Sequence, residues 1–237
     1  MKILHYLPRI RLEEGGVVRA VLDICTLLAS KAHEVMLVTY DATDLPDDWK
    51  KEQPTGARAP DLVVIDPPTR PLARYSTAAM QRIGSLIKSA DVVHLHTPWE
   101  TANLQFANAA KRAGKPYIVS VHGMLDDWSM AQKAAKKKLF LALAGRRFLE
   151  NAASVHCTAE AEKTQASKWF PGGPPVVIPL VFDLSPFRQL PGPDAARQSY
   201  PALTSGEPSV LFLSRLHPKK GVEVLIEALR LLRERGT

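Results

Sequence analysis

Cysteine is nearly absent: Cys25 and Cys157 are the only two in 237 residues. Both sit in apolar patterns, so the fold does not rest on a disulfide framework, and buried thiols in a reducing compartment are expected. No apolar run approaches the ~20 residues needed to span a bilayer. The opening MKILHYLPRI has one leading Lys, an apolar stretch too short for a signal-peptide core and no small-residue cleavage site, so no secretory leader is expected. Internal repeats, low-complexity segments and the GxGxxG spacing of dinucleotide folds are all missing. Aromatic residues make up 7% of the chain and form no stacking platform among the basic residues, which sets nucleic acid aside as a partner.

Hydrophobic content of 46% and charged content of 23% are those of an ordinary globular chain. The 31 basic and 24 acidic residues leave a net charge of +7. That excess by itself suits a nucleotide phosphate, an anionic membrane surface or nucleic acid without choosing among them.

Strand-like runs alternate with helical patterns. Strands are predicted at Ile3–Leu7, Glu34–Thr39, Leu62–Ile65, Asp91–His96, Tyr117–Val121, Ser154–Thr158 and Val176–Ile178. Helices are predicted after Gly15-Gly16 along Val17, Val18, Val21, Ile24, Cys25 and Leu28, and over Tyr75–Ser89, Glu100–Ala113, Met130–Ala152 and Ala159–Trp169. The Pro-rich stretch Leu45–Pro60 reads as loop. This alternation specifies an α/β fold, a Rossmann-like doubly wound parallel sheet, over residues 1–185. Six prolines between Pro179 and Pro208 remove amide donors and fix φ, so residues 186–207 read as a linker. Residues 208–237 open a second unit: an apolar strand Val210–Leu213, a basic Pro-Lys-Lys-Gly turn and an amphipathic helix through Leu225, Ile226 and Leu229. One βα unit cannot cover both faces of its strand, so the second domain is expected to be truncated.

Three places could carry chemistry. Gly15 and Gly16 lie between the first strand and the first helix, where helix amides and missing Cβ atoms allow a phosphate to approach; a simple tight turn is the alternative. Arg215 with Lys219 and Lys220 could neutralise a diphosphate, the Arg as a fork and a Lys as a point charge; a solvated basic turn is the alternative. His122, in the HGML run that ends the fifth strand, is placed to touch a ligand. His94 and His96 share a strand face, but no third ligand is spaced near them, and no metal site is expected. Lys136, Lys137 and Lys138, beside Leu139, Phe140 and Leu143, could dock an acceptor or an anionic membrane surface, or simply solvate an ordinary surface helix.

Read together, the blocks GGVVRAVLDICTLLAS, DVVHLHTPW, VSVHGMLDDWSMAQKAAKKKLF and FLSRLHPKKGVEVLIEAL resemble the family 4 glycosyltransferases of GT-B architecture, from Lys2 to about Leu232. The resemblance implies two Rossmann-like domains and transfer of a sugar from a nucleotide-sugar donor to an acceptor hydroxyl, with retention and without a required metal or other cofactor. Gly16 would hold the donor phosphate, Arg215 and Lys220 would take the leaving diphosphate, and His122 would meet the transferred sugar. A sugar or lipid-linked sugar acceptor would sit on the first domain, in cell-surface polysaccharide or glycolipid synthesis. The expected location is the cytoplasm, with a peripheral position at the inner membrane face also compatible. The run IPLVFD replaces the family's Pro-Asn-Gly-Val-Asp, and the family's pair of Glu residues separated by seven residues has no counterpart, so the chain alone is expected to lack most of a donor site. A non-catalytic acceptor- or membrane-binding half is the competing expectation.

Overall fold

A computed structural model of the chain describes residues 1–50, 58–69, 73–204, 206 and 208–236. It divides into two compact units, Met1–Asp183 and Leu184–Thr237. In the first, seven strands form one sheet: β1 (Lys2–Tyr6), β2 (Glu34–Thr39), β3 (Asp61–Val64), β4 (Val92–His96), β5 (Tyr117–Ser120), β6 (Ser154–Cys157) and β7 (Pro175–Val177). Every pairing is parallel and the order is 3-2-1-4-5-6-7. The fold class expected from the sequence is the one observed. Residues 51–57 of the expected Leu45–Pro60 loop lie outside the described residues.

The period-2 alternation of VVHLH sorts the two faces of β4. Val93 and Leu95 join Leu4, Tyr6, Val119 and Val155 in the larger core. Helices α2 (Thr77–Ser89) and α3 (Thr101–Arg112) send Ile83, Ile87 and Phe106 into that core. Phe106 stacks on Tyr6, ring centroids 4.1 Å apart. The smaller core lies under the first helix of the chain, α1 (Gly16–Ser30), whose Val18, Val21, Leu22 and Cys25 meet Val35 and Leu37 of β2. Both thiols are free and buried. On the α1 face the strands align polar residues instead: His5 is opposite His94 in register, His96 opposite Ser120, and Ser120 opposite His156.

Two sequence expectations need correction. The long helix Met130–Ala152 is broken into α4 (Asp127–Ala131), α5 (Ala134–Phe140), a π-helical turn (Leu141–Gly145) and α6 (Arg146–Glu150), followed in the chain by α7 (Glu160–Ala166). Lys133 between α4 and α5 has φ +53°, which a continuous right-handed helix forbids. The break lets α5 fold back, with Lys137 Nζ donating to Ser129 O and Phe140 edge-on to Trp99. The last residue of the π turn is Gly145, where a Cβ would lie 2.6 Å from the Phe140 ring.

The second correction concerns Val210–Leu213, which is not a strand. Leu211 and Leu213 are 84% and 89% exposed. A parallel strand needs a neighbour to take its amides and carbonyls, and among the described residues of the second unit there is no other strand. That unit holds α8 (Asp194–Ser199) and α9 (Val222–Glu234) with intervening 3-10 turns. No described helix is long and apolar enough to cross a membrane.

Candidate functional site

β1 and β4 are neighbours, yet the chain leaves β1 towards β2 and β4 towards β5. At such a switch point two connections part and leave a crevice beyond the carboxyl ends of the strands. α1 starts there. Its N-cap, Gly15, has φ +104° and ψ −160°, a region open only to glycine, and no side chain caps the first-turn amides. A Cβ at Gly16 would meet nothing within 4 Å, so Gly16 opens onto free space.

A cavity of about 270 Å³ lies in this crevice, walled by Leu7, Arg9, Glu14, Thr97, Trp99 and Glu100, with Val17 and Met124 alongside. Arg9 Nε pairs with Glu14 at 2.6 Å. Burial raises the Glu100 carboxyl, Arg9 pulls it back down and Glu14 adds to the rise. Thr97 Oγ1 and Trp99 Nε1 are buried without a hydrogen-bond partner. Such orphaned groups are rare in folded proteins and mark places where a ligand or water belongs. Thr97 also holds φ +68°. The Asn103 amide pins this strained turn by donating to Thr97 O at 2.6 Å and to His96 O at 3.1 Å.

The end of β5 is fixed by a second clamp. His122 (φ +49°) and Gly123 (φ +69°) form a left-handed turn. Buried Glu162 of α7 accepts from the Gly123 amide and, on its other oxygen, from Thr158 N at 2.5 Å and Thr158 Oγ1 at 2.7 Å. One carboxylate thereby ties the exits of β5 and β6 together.

His122 lines a larger cavity, of about 550 Å³, on the α1 face of the sheet, and is not among the residues around the smaller one. Its Nε2 lies 3.1 Å from His96 Nδ1, and His96 Nε2 lies 3.0 Å from His5 Nδ1. A parallel chain runs from His94 Nε2 to Ser120 Oγ to His156 Nδ1, each step 2.7 Å, and ends with His156 Nε2 donating to Ile178 O at 2.7 Å. Burial lowers His122 to about 4 and His5 to about 3, and holds His94 and His96 well below the usual imidazole range.

The residues singled out from the sequence fall into three groups. Gly15, Gly16 and His122 are in the first unit, at the carboxyl ends of β1 and β5. Arg215 and Lys220 are exposed residues of the second unit, in the loop and 3-10 turn before α9. Lys136 and Lys138 are exposed on α5, but Lys137 is committed to packing: its Nζ bonds Ser129 O and sits 5.2 Å above the Trp99 ring. Sequence reasoning missed Arg9, Thr97, Trp99, Glu100, Asn103 and Glu162. A usable signal was the Thr-Pro pair directly after an apolar strand, which marks a turn rather than a continuing element.

The profile of the glycosyl transferase 4-like domain matches residues 15–180. Anabaena HepE, solved in complex with UDP-glucose, superposes with a TM-score of 0.66 at 19% identity, covering 97% of this chain and 57% of its own. HepE with UDP gives 0.64 at 19% identity over 97% of this chain and 57% of its own. A UDP-N-acetylglucosamine 2-epimerase from Rickettsia bellii gives 0.40 at 13% identity over 73% of this chain and 43% of its own. The chain thus spans little more than half the length of HepE. No curated protein matches it.

The four imidazoles held neutral by burial set a pH dependence. Their folded values lie below the unfolded value near 6.5. The unfolded chain therefore binds more protons at pH 5, and stability is full above about pH 7 and lost as pH falls. At pH 5 each such group costs up to about 2 kcal/mol. Urea midpoints at pH 7 and pH 5 should show a clear loss at pH 5, reduced in a His5→Phe variant; equal midpoints would contradict the buried neutral cluster.

Proposed function

The chain belongs to the glycosyl transferase 4-like family, and we propose that it serves transfer of a sugar from a nucleotide-sugar donor to an acceptor hydroxyl, with retention of anomeric configuration. The observation that carries this reading is the switch-point crevice between β1 and β4, entered by α1 through Gly15, the residue at which the family match begins. In this reading Gly15 and Gly16 present backbone amides to the donor phosphate, and Arg215 and Lys220 neutralise the diphosphate as it departs. Charge develops on the leaving group in the transition state, so preorganised cations and amides aimed at it act on the barrier rather than on ground-state binding. His122 bonds the hydroxyls of the transferred sugar. It is not a general base, since a retaining transfer gives it no water to deprotonate. The transfer uses no metal or other cofactor, and the nucleotide-sugar is a substrate.

The acceptor, a sugar or lipid-linked sugar, belongs in this scheme to the first unit. Arg9, Glu100, Thr97 and Trp99 supply the hydrogen-bonding groups that hydroxyls need. The setting that fits such an acceptor is cell-surface polysaccharide or glycolipid synthesis in the cytoplasm. UDP-glucose, the molecule bound by HepE, is a suitable first probe. Arg215→Ala and Lys220→Ala should each weaken its binding to this chain by about tenfold, or about 1.4 kcal/mol. Both residues are exposed, so folding should be unaffected by circular dichroism. Wild-type affinity in both variants would remove the diphosphate role.

A membrane-facing role for the α5 region has its own support. Leu139 and Leu143 are 60% and 73% exposed, beside exposed Lys136, Lys138 and Arg147. Apolar tips among cations suit an anionic headgroup layer. The chain should co-sediment with anionic vesicles at low salt, and the Lys136→Glu, Lys138→Glu double variant should lose most of that binding. Absence of wild-type sedimentation would dismiss the membrane role and leave the transfer reading untouched.

A further inference from the structure

We infer that His5, His94 and His96 form a transition-metal site on the α1 face of the sheet, of a type that takes a borderline divalent ion such as zinc. From the sequence, His94 and His96 lack a third ligand; β1 supplies it, because His5 lies opposite His94 in the parallel register. One ring nitrogen from each of the three lies within 4.8 Å of the others. With metal–nitrogen bonds of about 2.0–2.1 Å, tetrahedral ligands sit about 3.4 Å apart. Closing the gap therefore asks for side-chain rotations, with the strands staying in place.

The hydrogen bonds around the trio assign its lone pairs. Ile178 O only accepts, so His156 donates from Nε2, and in its neutral form carries its lone pair on Nδ1. Ser120 Oγ then donates to His156 and accepts from His94 Nε2. Neutral His94 is left with its lone pair on Nδ1. His96 keeps Nδ1 tied to His122, which leaves Nε2 for a metal in exchange for its bond to His5. His5 Nε2 is a fully buried nitrogen with no partner at all. A ligand histidine whose second nitrogen is fixed by an outer hydrogen bond is the usual pattern of a metal site, and the orphaned His5 Nε2 is explained if its ring rotates to give that nitrogen to the ion, since in the present pose it is Nδ1 that faces His96 Nε2 at 3.0 Å.

His94 and His96 line the 550 Å³ cavity, which gives an ion a way in and leaves room for a fourth ligand. The three imidazoles carry no negative charge, so that fourth ligand is hydroxide or another small anion, which offsets the cost of burying a dication. The transfer scheme does not call on the ion, although the site touches it through the His96–His122 contact. Occupation of the site fixes the His96 proton on Nδ1, facing His122.

The test is titration of the purified chain with cobalt(II) and zinc(II). One equivalent should bind, cobalt(II) should show the absorption of a four-coordinate nitrogen-rich site, and the melting temperature should rise with metal concentration. His5→Gln and His94→Gln should each weaken binding at least tenfold, while His217→Gln at an exposed histidine should leave it unchanged. X-ray absorption of the zinc-loaded wild type should count three imidazoles, a reading that does not depend on the variants folding. A folded wild-type chain that takes up no metal, a zinc shell without three imidazoles, or full affinity in a folded His5→Gln variant would each overturn the site.

Discussion

Two neighbouring parallel strands whose connections leave in opposite directions cannot have their carboxyl ends covered by one loop, and β1 and β4 are that pair. The clamps and special backbone positions at this edge of the first unit line the gap between them. α1 enters it through a glycine that no other residue could replace without strain. The turn after β4 runs through Thr97 in the left-handed region and would relax without Asn103 bonding both carbonyls around it. The turn after β5 is held in the same way by Glu162. Side-chain amide and carboxylate clamps thus replace regular backbone pairing where the backbone is irregular, which keeps the backbone around the crevice paired while Thr97 Oγ1 and Trp99 Nε1 stay open to a ligand or water.

The α1 face of the same strands poses a different problem. Five of the seven histidines in the chain are held there by one another, by Ser120 and by Ile178 O. Burial favours the neutral forms of His5, His94, His96 and His122, and neutral imidazoles can pass hydrogen bonds from strand to strand because each carries one donor and one acceptor. This polar row spans β1, β4, β5 and β6 and reaches His122, so ring orientation at the carboxyl edge is coupled to the interior of the sheet. The only orphan in the row is His5 Nε2.

How much of this was legible in the sequence follows from which forces are local. The strand runs and the glycine-led helix were readable because period-2 and period-3.6 patterns are local, and VVHLH announced one apolar and one polar face. That His5 would complete the His94–His96 pair was not readable, since β1 and β4 are 86 or more residues apart and meet only through the crossover topology. The break at Lys133 was invisible because the apolar spacing continues across it; the contacts of Phe140 and Lys137 with Trp99 override local helix preference. Val210–Leu213 has the composition of a buried strand, yet composition cannot supply the neighbouring strand that would pair with it. Gly15, Gly16 and His122 stood out as types with special backbone or proton chemistry, whereas Thr97 and Asn103 matter through conformation, which composition does not encode.

The central claim is that phosphate binds in the β1–β4 crevice against the first turn of α1. The most direct measurement follows amide resonances of the isotope-labelled chain as UDP-glucose is added. Binding in the crevice should move Gly15, Gly16, Val17, Thr97 and Trp99 most, with little change at Lys2, Glu34 and Asp61 on the opposite edge of the sheet. Shifts concentrated at that opposite edge, or none anywhere at millimolar ligand, would contradict the claim.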